Sequence, residues 1–113
     1  MKRPLAIAAA IEVATGIAML TVPSWVGRLL LGEALVGVAA TLSRVTGIAL
    51  IALGIACGPG TPLTGMLTYS AAVTLYLAYF GFTSGSPGAL LWPAVALHAV
   101  LTLLLAREAT GRK

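Results

Sequence analysis

Three ionisable side chains, Glu12, Arg44 and His98, stand inside long apolar stretches of this sequence. A charge at the centre of a bilayer costs about 2.5 to 3.5 kcal/mol, so such residues usually face a helix bundle and find partners there. A carboxylate can pair with a guanidinium, and a histidine beside them can exchange a proton near neutral pH. The three residues therefore predict an intramembrane polar cluster.

The depths of these side chains in a bilayer favour such a cluster. At a helical rise of about 1.5 Å per residue, Glu12 and His98 lie roughly 11 and 12 Å from the membrane surface nearest the chain termini. Arg44 lies about 20 Å from that surface, and its long side chain covers much of the axial gap. We predict a Glu12–Arg44 ion pair with His98 beside it. Tyr69 and Tyr76 share one face of the third apolar stretch and are expected to reach the same interior.

The sequence leaves three interpretations of the cluster open. It is a mutually neutralising network that fixes helix register, or a proton-coupled or ligand-binding site, or Arg44 extends outward and does not contact Glu12. A metal or haem site at His98 would need a second protein ligand, and the remaining candidate, Cys57, is distant in the chain. No catalytic triad has its parts at compatible depths. We therefore expect neither a metal, nor a cofactor, nor enzyme activity.

Apolar helices must position these side chains. The chain has 113 residues, of which 59% are hydrophobic and 9% charged, whereas soluble domains carry about 25% charge. Four stretches are long enough to cross a bilayer, and proline and glycine separate them. They are residues 5–22, 34–57, 64–82 and 89–106. We predict an all-α polytopic membrane protein, in which residues 1–113 form a single domain with four transmembrane helices in a compact up-down bundle.

Small residues share helix faces with the polar groups, and such faces let membrane helices approach closely. In the second stretch this face holds Gly37, Ala40, Arg44, Gly47, Ile51 and Gly54. In the first stretch, Ala8, Ala9, Thr15 and Gly16 surround Glu12. Close packing between the first two spans is the expected consequence.

The connection between the first two spans, residues 23–33, mixes aromatic, charged and aliphatic side chains. We predict a short interfacial helix that is capped by Ser24 and holds Trp25 at headgroup depth. The alternative is that this segment is the frayed first turn of the second span.

Basic residues flank the chain termini, whereas the connections hold only Arg28. The positive-inside rule therefore predicts that both termini are cytoplasmic, and we expect the first helix to be retained rather than cleaved as a signal peptide. The formal net charge is +4. Because this charge lies at the termini, it favours an anionic membrane surface as partner and not a nucleic acid.

Four segments of the first half of the chain resemble small bacterial four-helix integral membrane proteins that are loosely grouped as DoxX-like. These segments are Thr21-Val22-Pro23, Leu29-Leu30-Leu31-Gly32-Glu33, Arg44-Val45-Thr46-Gly47-Ile48-Ala49-Leu50 and Leu53-Gly54. The resemblance implies a four-helix fold in the bacterial inner membrane. Some members of that grouping are partners of oxidoreductases.

Ile11-Glu12-Val13 in a four-helix chain of this length is also similar to small multidrug resistance transporters. In that family a membrane glutamate exchanges protons for cationic substrates in an antiparallel dimer. This sequence departs from the family at Arg44, which would neutralise the glutamate and repel cations. It also lacks the family's tryptophan–glycine pattern in the third helix.

The function expected from the sequence is that of a non-enzymatic accessory or scaffold subunit of a membrane assembly. Little of the chain lies outside the lipid, so a protein partner or a second copy would bind through helix faces. The alternative is a small proton-coupled transporter or ligand-binding membrane protein. Its site would use Glu12, Arg44, His98, Tyr69 and Tyr76.

Overall fold

The computed structural model describes residues 2–85 and 88–111, with side chains from residue 4 onward. Of these residues 85% are helical, and they contain no strand. The helices are α1 (Lys2–Thr21), α2 (Pro23–Val26), α3 (Val38–Cys57), α4 (Pro62–Thr83) and α5 (Leu91–Gly111), and α2 continues into one π-helical turn, Gly27–Leu31. The all-α prediction is thereby confirmed for the described chain.

The four long helices, α1, α3, α4 and α5, are each long and apolar enough to cross a membrane. They follow the predicted spans closely, with two differences. Helix α3 begins at Val38 rather than at residue 34, because Gly37 has φ +60° and cannot continue a helix. Helix α5 extends to Gly111 rather than 106, since good helix formers such as Arg107 and Glu108 carry it past the apolar stretch.

A separate helical segment lies between α1 and α3, as predicted for residues 23–33. Gly32, at φ +88°, ends its π-helical turn, and its N–H donates to the Gly27 carbonyl. This break excludes the alternative in which the segment is the first turn of α3. The predicted Ser24 cap is wrong. Val22 holds the N-cap position without a side-chain hydrogen bond, because Pro23 occupies the first helical position and moves Ser24 inside the helix.

The helices pack as neighbours, α1 on α3, α3 on α4 and α4 on α5. In the described residues, α1 contacts neither α4 nor α5, and α3 does not contact α5. The principal extents are 46 × 36 × 15 Å. Helix axes pack about 8–10 Å apart, so four helices side by side account for the width and one helix for the thickness. The neighbour packing of an up-down bundle is present, but the helices form an open layer that does not close α1 onto α5.

Glycine makes the contact between α1 and α3 possible. A Cβ added at Gly16 would lie 2.5 Å from the Gly47 carbonyl oxygen, and a Cβ at Gly47 would lie 2.5 Å from the Gly16 oxygen. Gly54, about two turns after Gly47 in α3, packs in the same way against Ala9 and Val13 of α1. The predicted small-residue faces of the first two spans therefore meet each other, and the two helices run antiparallel.

Candidate functional site

Two polar side chains of α3 hold the end of α1. Pro23 has no N–H, so it cannot donate to the Met19 carbonyl as the next residue of a continuous helix would. Ser43 takes this place, since its Oγ donates to the Met19 oxygen over 3.1 Å. Next to it, Arg44 Nε donates to the Leu20 oxygen over 3.4 Å. These two hydrogen bonds join α3 to the terminal turn of α1.

The electrostatics of this contact favour a cation. The carbonyl groups at a helix C-terminus carry a partial negative charge, and a nearby guanidinium is stabilised by it. Arg44 is half-buried. Its Nε is committed to the Leu20 carbonyl, and its two Nη groups have no hydrogen-bond partner in the described chain. The cationic guanidinium group therefore keeps hydrogen-bond donors that no described residue uses.

Glu12 and Arg44 do not form the predicted ion pair in the described structure. The antiparallel register places Arg44 opposite Leu20, and Glu12 precedes Leu20 by eight residues. Eight residues correspond to about 12 Å along the axis, which is beyond the reach of a direct contact. Arg44 extends away from Glu12 toward the end of α1, as in the interpretation in which the two residues do not contact each other.

Glu12 lies at the middle of the candidate span Pro4–Thr21 and is half-buried. It falls between Ala9 and Gly16, the two buried residues of the face that packs on α3. Within the described residues it has neither an ion pair nor a hydrogen bond. A carboxyl group thus lies at the edge of the α1–α3 contact with no partner among the residues that the structure describes.

His98 and Tyr69 do come together. Their rings meet edge to face, with centroids 6.0 Å apart and planes at 72°. His98 Nδ1 is 2.9 Å from the Ala94 carbonyl oxygen of its own helix, which it can reach as a donor. Tyr76 lies two turns beyond Tyr69 on α4, is half-buried, and forms no hydrogen bond in the described chain. Since α1 and α5 do not touch, His98 is separated from Glu12.

A shallow groove of about 370 Å³ runs between α3 and α4, and Tyr69 forms part of its wall. Small side chains create the space, among them Ala49, Ala52 and Gly65. The surface of the groove is almost entirely apolar, so Tyr69 contributes its ring rather than its hydroxyl group. This geometry can accommodate an apolar group next to the Tyr69–His98 pair.

Sequence reasoning missed two buried hydroxyl groups. Ser43 is only 5% exposed, and its role could have been found from Pro23, which stands four residues after Met19 and leaves that carbonyl without a donor. Ser70 is 1% exposed, and its Oγ has no hydrogen-bond partner among the described residues. No pattern in the sequence distinguishes Ser70 from the other hydroxyl residues of α4.

The separation of Glu12 from Arg44 predicts that their substitutions act independently. Glu12→Gln and Arg44→Gln should change the free energy of unfolding additively, within about 0.5 kcal/mol, as distant sites do. A double-mutant cycle measured by reversible unfolding in detergent checks this. A coupling energy well above that value would show that the two charges interact after all.

Comparison of this chain with protein-family models, with curated proteins and with solved structures finds no match.

Proposed function

We propose that this chain is a non-enzymatic integral membrane protein that acts as an accessory or scaffold subunit of a membrane assembly. The observation that carries this proposal is the open layer of four helices. In the described residues α1 does not close onto α4 or α5, and α5 has no buried residue. An open layer offers broad helix faces to other transmembrane helices, which is what a subunit of an assembly requires.

Glu12 supports the same proposal. Ionisable residues at mid-span are costly in lipid and are normally paired or turned toward a protein interior. The described part of the chain gives Glu12 no such partner, and α1 lies at the edge of the layer. A helix from another subunit, or from a second copy, that packs beside α1 and brings a hydrogen-bond donor or a cation would satisfy the carboxyl group.

The location in the cell follows from the same proposal. With an even number of spanning helices both termini would lie on one side, and the basic residues near them favour the cytoplasmic side of a bacterial inner membrane in this proposal. The DoxX-like resemblance of the first half of the chain agrees with that location.

The substitution Glu12→Leu tests the proposed assembly. In mild detergent, native mass spectrometry should find the wild-type chain in a complex heavier than its own 11.4 kDa. Glu12→Leu removes the group that the partner satisfies, so most of the protein should appear as the single chain. Glu12→Gln, which keeps hydrogen-bonding capacity, should retain more of the complex.

Glu33→Leu is the matched control, because Glu33 is exposed in the connection before α3. It should leave the mass of the complex unchanged. A wild-type protein that is a single chain with nothing but detergent and lipid bound would contradict the subunit proposal.

A second candidate function is that of a small-ligand-binding membrane protein. The Tyr69–His98 contact beside the apolar groove favours it, since a ligand with an apolar body could fill the groove next to two ring side chains. The same mass spectra distinguish the two candidates. A ligand-binding protein would carry a small molecule that Tyr69→Ala releases, whereas a subunit would carry other chains.

A further inference from the structure

Arg44 is a cation within a candidate membrane-spanning helix, and the described part of the chain supplies no anion for it. The chain has only three acidic residues, all in the described part, and Arg44 forms an ion pair with none of them. They are Glu12, Glu33 and Glu108. Among the described residues, the hydrogen bond that Arg44 forms is the one to a neutral carbonyl group. A counter-ion from outside the chain would remove the cost of this unpaired charge.

The position of the guanidinium group shows where that counter-ion would lie. The Arg44 Cα is six residues, or about 9 Å, inside α3 from its first residue, Val38. The side chain reaches toward the same end, because its Nε contacts Leu20, the penultimate residue of α1. The charge therefore lies near the ends of two candidate spans, where a long basic side chain can reach toward the headgroup region of a bilayer.

We propose that Arg44 binds the phosphate group of a phospholipid in the leaflet next to residues 22–37. The two Nη groups have no partner among the described residues, and a guanidinium fork matches the oxygen atoms of a phosphate. The hydrogen bond from Nε to the Leu20 carbonyl oxygen of α1 orients the guanidinium group. Less side-chain entropy is therefore lost when the two Nη groups bind the lipid.

Apolar side chains at the same end favour a lipid over free phosphate. Helix α2 packs against both α1 and α3 there. It leaves Trp25 largely exposed, and Leu29 and Leu30 in the following π-helical turn are 81% and 73% exposed. Such a surface is stable in contact with acyl chains and not with water. A ligand with one anionic group and long apolar chains satisfies both features, and this site is independent of the proposed role as a subunit.

Lipid retention by the purified full-length chain tests the proposal. The protein is reconstituted with phosphatidylglycerol or with an uncharged diacyl glycolipid, transferred to mild detergent and analysed by native mass spectrometry. We expect the wild-type chain to retain phosphatidylglycerol and to lose the glycolipid. An excess of inorganic phosphate should not displace the bound phospholipid. Equal retention of the two lipids, or displacement by inorganic phosphate, would overturn the assignment.

Two variants locate the site. Arg44→Gln should lower phospholipid retention by about tenfold or more, the loss expected for charge-assisted hydrogen bonds to one phosphate. Arg107→Gln removes an exposed arginine near the C-terminal end of α5, at the opposite end of the helices from the Arg44 guanidinium group. This variant should retain phospholipid like the wild type. Equal losses in both variants would show that retention follows net charge rather than this site. If Arg44→Gln does not fold, the comparison of the two lipids on the wild-type chain still decides the outcome.

Discussion

Gly47→Leu should destabilise the protein by about 3 kcal/mol or more, which is the upper range for overpacking. Any Cβ at this position would lie 2.5 Å from the Gly16 carbonyl oxygen and 2.9 Å from the Leu20 nitrogen. These are backbone atoms of α1, so no change of rotamer can relieve the contact, and the two helices must move apart. Reversible unfolding in detergent, followed by the loss of helical circular dichroism or by trapping of the unfolded chain, measures the effect.

Gly111→Leu is the matched control for this substitution. Gly111 also lies in a long helix, but a Cβ added there meets no atom within 4 Å. We expect this variant to unfold like the wild type, and Gly47→Ala to fall between the two. A Gly47→Leu protein as stable as Gly111→Leu would contradict the close contact of α1 and α3.

Ser43→Ala should lower the free energy of unfolding by about 1 to 2 kcal/mol, since it leaves the Met19 carbonyl without a donor. The cost should depend on Pro23. In a Pro23→Ala background the chain regains an N–H four residues after Met19, and α1 can continue through Val22 and satisfy that carbonyl itself. There the Ser43→Ala substitution should cost less than about 0.5 kcal/mol.

The control for this cycle is Thr68→Val. The Thr68 hydroxyl donates to the Thr64 carbonyl within α4, where the backbone already supplies a donor. Its removal should have a small effect that is the same with and without Pro23. Equal costs of Ser43→Ala in both backgrounds would mean that Ser43 does not replace the donor that proline lacks.

The number of long helices and their apolar character could be predicted from the sequence alone. Apolar stretches of spanning length are a property of consecutive residues, and the clusters of proline and glycine between them mark the connections. The close contact of the first two spans was also predictable, because Gly47 and Gly54 recur at helical spacing in the second span and Gly16 shares a face with other small residues in the first. Each of these features depends on residues near one another in the chain, so no knowledge of the neighbouring helices was needed.

Only the tertiary structure decided which polar groups meet. Depth in a bilayer gives the position of a residue along the membrane normal only, and not its lateral position. Glu12 and His98 have similar expected depths, although their helices do not contact each other in the described residues. Arg44 had two directions open to its long side chain. It turns toward Leu20 and away from Glu12, because the terminal carbonyl groups of α1 lack intrahelical donors next to Pro23. Pro23 creates that need in the sequence, but only the packing of α3 against that end brings Ser43 and Arg44 close enough to meet it.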